Sequence, residues 1–258
     1  MEHTLRQTWA FVFRDINLSR RYMSWIVVFT FYAMVNTATI ALIGVALGDR
    51  RLTLMLILGA LLWNFLSVLF SEIANSITYE RWEGTLEYTF MAPVSRLTHL
   101  AGVSIYVTLY SIVRTIVITA GVTLFVDFDL SQANLTGLFV VLLVSSLAFI
   151  GLGLMAAALP VMSPERGAEA TNIFQGVLLL VSGVYYPIEV LPAWLQPLAY
   201  ISPATYALSA SRKLIGIGAS ASDPAQGVGV PLSAVTHELL VGIVERWAKR
   251  TGKLKRTG

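Results

Sequence analysis

Glu80, Glu83 and Glu87 fall at helical spacing in the segment Tyr79–Arg96, YERWEGTLEYTFMAPVSR, and give an apolar chain its one compact acidic surface. At 100° per residue they form a stripe beside the arc of Tyr79, Trp82, Leu86 and Phe90. A helix so built lies on a membrane or docks into a partner's groove; it does not span. This is binding chemistry, and bond-making chemistry finds little to work with. The chain has no cysteine, which excludes disulfides, thiol catalysis and thiolate metal sites. His3, His99 and His237 are far apart and lack metal-ligand spacing such as HExxH. His237 and Glu238 are adjacent, hence on different faces, and no acidic pair faces across a span, so an intramembrane enzyme has no dyad. No GxxxxGK[ST] loop is present to wrap phosphates, so ATP chemistry would have to come from another chain.

The remaining polar candidates are isolated in apolar surroundings. Arg114 lies mid-span, where a charge faces a cavity or partner, or is tied to Asn64, Ser111 or a neighbouring helix carbonyl. Glu72, nearer a span end, suits an interfacial or coupling role better than a proton relay. Asn36 and Asn64 either line a pathway or bridge helices, helix bridging being the commoner use.

The elements that hold these residues follow from composition. Of the 258 residues 56% are hydrophobic and 13% charged; a soluble domain carries about a quarter charged. The chain is therefore all-α and membrane-integral, and no signal peptide is expected in the first 23 residues. Five stretches approach the ~20 apolar residues of a crossing: 24–47, 54–77, 100–126, 135–159 and 172–186, the last one short. Ahead of them Leu5, Trp9, Val12, Phe13 and Ile16 recur at helical spacing among Arg6, Arg14, Arg20 and Arg21, an interfacial helix over 1–23 feeding an elbow into the first span. The resulting organisation is a transmembrane domain over 24–244 and a basic tail over 245–258.

Arginines in the N-terminal helix, with Arg81, Arg96 and Arg166, put the N-terminus, the acidic segment and the SPERGAEAT loop in the cytoplasm. The basic tail belongs on the same side, near anionic lipid rather than nucleic acid. A sixth crossing must then fit before it. The best window, Val228–Val244, holds Pro231, His237 and Glu238, and one central carboxylate costs roughly 2.5–3.5 kcal/mol on insertion scales. Between Tyr185 and Tyr206, Pro187, Pro192, Pro197 and Pro203 forbid a continuous helix, while Trp194, Tyr200 and Tyr206 suit the headgroup level. A re-entrant hairpin of short helices over 185–206 is expected on the outer side.

With EGTLEYTFMAPVSR after a second span and SGVYYPIEVLPAWLQPLAYISPATYAL after a fifth, the chain resembles the type-2 permeases of ABC transporters, membrane subunits of exporters such as the daunorubicin-resistance pumps. The order of elements agrees over nearly the whole chain. The resemblance implies six spans, a coupling helix at 79–96, and contact of Glu80, Arg81, Trp82, Glu83, Gly84, Thr85, Leu86 and Glu87 with a separate ATPase. It also implies two ATPase copies carrying ATP and Mg, no cofactor on this chain, a second and identical permease, and residence in a bacterial-type plasma membrane. The sequence departs from that pattern at the sixth span. A small amphipathic, drug-like or lipid-like cargo is expected, with a lipid-linked glycan as the alternative. A secondary transporter would show paired broken helices in two halves, and only one broken region is found. Gly84, costing about 1 kcal/mol of helix propensity relative to Ala, suits a place where the helix turns or another backbone approaches.

Overall fold

The computed structural model describes residues 2–91, 94–127, 135–157 and 167–215. Helices are the only regular structure among them, as expected where each segment must satisfy its own backbone hydrogen bonds. Helix α1 (Glu2–Arg21) passes into α2 (Met23–Ala46) through one non-helical residue, Tyr22, at φ −104° and ψ 27°. This is the expected elbow. Gly48, at φ 67°, ends the turn after α2, and the Asp49 carboxylate accepts the Leu52 N–H at 3.0 Å to open α3 (Arg50–Trp82). There follow α4 (Leu86–Met91), α5 (Arg96–Val122), α6 (Leu135–Ala156) and α7 (Gly167–Val181). A 3-10 turn at Ile188–Val190 leads to α8 (Gln196–Ile201) and α9 (Pro203–Leu214).

Four of the described helices are long and apolar enough to cross a membrane, within Met23–Ala46, Arg50–Ser76, Leu97–Val122 and Leu135–Ala156. The third ends at Val122, short of the expected 126. The fifth expected stretch, 172–186, is realised as α7, which stops at Val181. Its 15 residues reach about 22 Å, less than the ~30 Å of hydrocarbon. The sixth window, Val228–Val244, and the tail lie outside the described residues, as do residues 163–166 of the SPERGAEAT loop, whose remainder from Gly167 opens α7.

Helix α3 is the axis of the bundle. Its span is 61% buried, against 22–28% for the other three, and α2, α5, α6, α7 and α9 all pack on it. Leu62, Phe65, Leu66, Leu69, Phe70 and Ile73 form its part of the core. Small residues let backbones close in, as is usual where lipid removes the hydrophobic drive between helices. A Cβ on Gly153 of α6 would lie 3.1 Å from both Ile73 Cβ and the Phe70 carbonyl, and one on Gly59 would run into the Val184 carbonyl. Several hydroxyls within the spans are satisfied locally: Thr108, Thr115 and Thr119 each donate to the carbonyl one turn back at 2.8 Å. Helix α2 lies at the rim, with Val27, Val28, Phe31 and Tyr32 exposed.

The proline-rich segment folds into short pieces. Gly183, at φ 64°, follows the end of α7, Pro187 caps the 3-10 turn, and Pro197 and Pro203 sit in the first turns of α8 and α9. Ser182 and Ser202 share a buried hydroxyl contact of 2.7 Å. Arg212 of α9 donates to the Gly183 and Val184 carbonyls, both at 3.0 Å, and so ties α9 to the turn that follows α7. Pro187, Pro192 and Trp194 are exposed while Pro203 is buried. The hairpin thus extends past its expected end at 206 to Leu214, because Ala204, Ala207, Leu208 and Ser211 bury α9 against α3 and α6.

Candidate functional site

The acidic segment does not form the single amphipathic helix 79–96 that its periodicity predicts. Tyr79–Trp82 are the last turn of α3, and the helix stops at Gly84, which adopts φ 68°. The Thr85 N–H bonds back to the Glu80 carbonyl at 2.9 Å and the Glu83 N–H to that of Tyr79 at 3.0 Å. The six-to-one closure is a Schellman motif with Gly84 at the left-handed position. No atom lies within 4 Å of a Cβ built on Gly84, so the glycine serves the turn and not the approach of another part of this chain. Helix α4 then heads off in a new direction, and Ser95 restarts the chain as α5 by accepting the Thr98 N–H at 3.1 Å.

The break splits the expected contact set. Glu80 is turned inward, only 7% exposed. Its Oε1 accepts from Arg14 Nη1 of α1 at 2.9 Å and lies 2.9 Å from His99 Nε2 of α5. Arg14 Nε holds Asp15 at 2.9 Å, and the Phe11 ring is flanked by the His99 ring at 4.8 Å and the Arg14 guanidinium at 5.3 Å. Burial pushes the Glu80 carboxyl up, but His99 and Arg14 outweigh it and hold it below its ordinary range. For Asp15 burial prevails over Arg14, and its carboxyl is held above. Glu83, Gly84 and Thr85 remain on the surface, with Tyr22 donating to Glu83 Oε1 at 2.6 Å. The side chains of Arg81, Trp82, Leu86, Glu87 and Phe90 lie outside those described.

What the turn does present is apolar. Tyr88 and Met91 on α4 and Leu97 on α5 are 77%, 81% and 79% exposed, beyond the apolar end of the α3 span. Periodicity alone does not single out these three. Their signal is position: they follow a glycine in a segment that includes a proline, and a glycine near the end of a helical pattern is a candidate C-cap. Nor does local spacing point to Arg14, Asp15 and His99 as the company of Glu80.

Residues 6–215 match the profile of the ABC-2 type transporter family. The chain belongs to that family. It is also similar to the linearmycin resistance permease protein LnrN of Bacillus subtilis (strain 168), 29% identical over 116 residues, 45% of this chain and 30% of that protein. The matched part therefore spans under a third of that relative. Family and spans together make this a multi-pass membrane permease of an ABC transporter.

Within this ABC-2 permease the intramembrane candidates separate. Arg114 Nη2 donates to the Phe29 carbonyl of α2 at 3.0 Å, which ties the rim helix to α5 through one of the partners expected for it, a carbonyl of a neighbouring helix. Asn64 sits half-buried on α3, its carbonyl accepting the Ser67 hydroxyl at 3.1 Å, whereas Asn36 is exposed on α2. The structure does not bring Asn36 to the Arg14–Glu80–His99 cluster, which joins α1, α3 and α5. Among the described residues no group of histidines or carboxylates has the arrangement of a metal site.

Proposed function

We propose that this permease is the conducting subunit of an ATP-driven exporter, and that a separate ATPase docks on the turn after α3. The observation that carries the reading is the exposed trio Tyr88, Met91 and Leu97 at the end of α3. That helix is continuous over 33 residues, about 50 Å, so it outruns the ~30 Å hydrocarbon and projects beyond it. A partner that grips α4 acts on a rigid rod whose other half holds Gly59 under Val184, at the root of the proline hairpin. Displacement at one end therefore reaches the hairpin without an intervening loop. Opening then follows from differential contacts of the partner in its two states.

ATP and Mg belong on the partner, which would be present in two copies with two permeases, most simply identical. In this reading α1, α4 and the tail are cytoplasmic and the hairpin lies outside, an orientation that the arginines of α1 support. The cargo in this reading is a small amphipathic or lipid-like compound moved outward; the resistance named for the Bacillus relative supports that class. The test is purification from native membranes in mild detergent, with wild type beside Tyr88→Asp/Met91→Asp. A P-loop ATPase that co-purifies with wild type and is lost from the variant supports the reading. Repeated wild-type preparations without an ATPase would refute it.

A further inference from the structure

Helix α1 has two unlike faces. Leu5, Trp9 and Phe13 make an apolar ridge 60–65% exposed, which suits the membrane surface. The opposite face and the elbow residue that follows it are each fixed to the end of α3. Arg14 grips Glu80, and Tyr22, two turns further along, donates to Glu83, one turn beyond Glu80. A single contact would leave a swivel; two separated contacts fix an angle. Between them the Ser19 and Tyr106 hydroxyls meet, and ahead of Arg14 the residues Thr8 and Phe11 close on Gly102 of α5.

An interfacial anchor needs only the apolar ridge. Here carboxylates that are 7% (Glu80) and 9% (Asp15) exposed are buried as well. A buried ion pair contributes little net stability over apolar packing, while the loss of one partner is severe. What such a pair supplies is a defined geometry. Tyr22 also ends α1 and begins the turn into α2, so any rotation of α1 is passed to the first span.

We propose that Arg14, through Glu80, is a positioning residue that makes α1 move as one body with the coupling end of α3, so that α2 is driven through the elbow at Tyr22. The proposal rests on the docking of an ATPase at α4. The joint gives the machine a second output: α3 carries displacement to the hairpin, and α1 carries it to the rim helix. Arg14→Ala frees Asp15 and leaves Glu80 with only His99 of α5, so the tie from α1 to α3 at this point is lost, whereas Arg14→Lys keeps the charge and only the bidentate reach is lost.

The absence of cysteine allows a direct test on the complex with its ATPase in lipid nanodiscs. Spin-label pairs are placed at Arg6→Cys with Val190→Cys, and at Thr89→Cys with Val190→Cys. Distances are read without nucleotide and in the vanadate-trapped state. In wild type both pairs shift on trapping. In Arg14→Ala and in Glu80→Gln the Thr89 pair still shifts while the Arg6 pair broadens and loses its shift. The population with α1 detached rises about tenfold for each 1.4 kcal/mol by which the joint is weakened. Arg14→Lys restores part of the shift, which a general loss of folding would not allow. An Arg6 shift in both variants equal to wild type overturns the proposal alone. A wild type in which the Thr89 pair does not shift removes the ATPase-driven turn, and this proposal with it.

Discussion

Replacing Gly84 by alanine separates the two ways the chain could pass from α3 to α5. In the structure Gly84 has φ 68° and nothing within 4 Å of a Cβ, so the substitution meets no clash and its whole effect is backbone strain. Holding an L-residue in the left-handed region costs roughly 1–2 kcal/mol. That cost falls on the closure between the Thr85 N–H and the Glu80 carbonyl. Hydrogen exchange of the 83–91 amides in detergent or nanodiscs reads the local opening free energy directly, and the Thr85 amide should exchange about five- to thirtyfold faster. Gly84→Asn should cost less, since asparagine tolerates this conformation. If α3 instead ran on unbroken toward residue 96, Gly84→Ala would remove a helix-interior glycine and stabilise the segment by about 1 kcal/mol. Slower exchange in the alanine variant would therefore refute the turn.

Further outcomes follow from the packing and the charges. Gly153→Leu forces side-chain atoms into Ile73 and the Phe70 carbonyl and should lower resistance to SDS unfolding by about 1–3 kcal/mol, the usual overpacking penalty, whereas Gly151→Ala, where a Cβ meets nothing, should be near neutral. Arg114→Ala removes the tie to the Phe29 carbonyl and should cost roughly 1.5–3 kcal/mol in the same assay, well above the exposed Arg50→Ala. The Glu80 carboxyl is depressed, so its contribution is complete above the ordinary carboxylate range and is lost as pH falls through its lower folded value; the raised Asp15 has the opposite sign. The α1 joint should therefore hold down to about pH 4 and open below it, read by an Arg6→Cys spin label, with that transition absent in Glu80→Gln. On the proposed orientation, Val190→Cys in intact cells reacts with a membrane-impermeant maleimide while Met91→Cys reacts only after permeabilisation; the reverse pattern would invert the topology.

Length and hydropathy made the scaffold legible. Apolar runs of about 20 residues have one low-energy form in lipid, and four of them are helices close to where the runs lie. The elbow at Tyr22 was visible as the place where arginine-flanked periodicity gives way to unbroken apolar sequence. The prolines of 187–203 announced short helices because a proline is tolerated only in a helix's first turn, where Pro197 and Pro203 sit. The acidic segment was harder. Its residues satisfy helical periodicity on both sides of Gly84, and periodicity does not register a reversal in which one residue takes positive φ. Glu80 looked like part of a surface stripe because its partners, Arg14 and His99, come from other helices, and only the packing of α1 and α5 against α3 brings them together. The exposed trio was hidden for a related reason: Tyr88, Met91 and Leu97 lie beyond the break at Gly84, on α4 and α5, where the periodicity of α3 no longer applies.

The central claim is that the turn after α3 is where an ATPase grips this permease. In the cysteine-free chain, Met91→Cys and Val190→Cys can each carry a photoactivatable crosslinker in native membranes. The account predicts that Met91→Cys captures a P-loop ATPase and that Val190→Cys, at the hairpin end, captures none. Equal capture from both positions, or an ATPase found only at Val190, would contradict it.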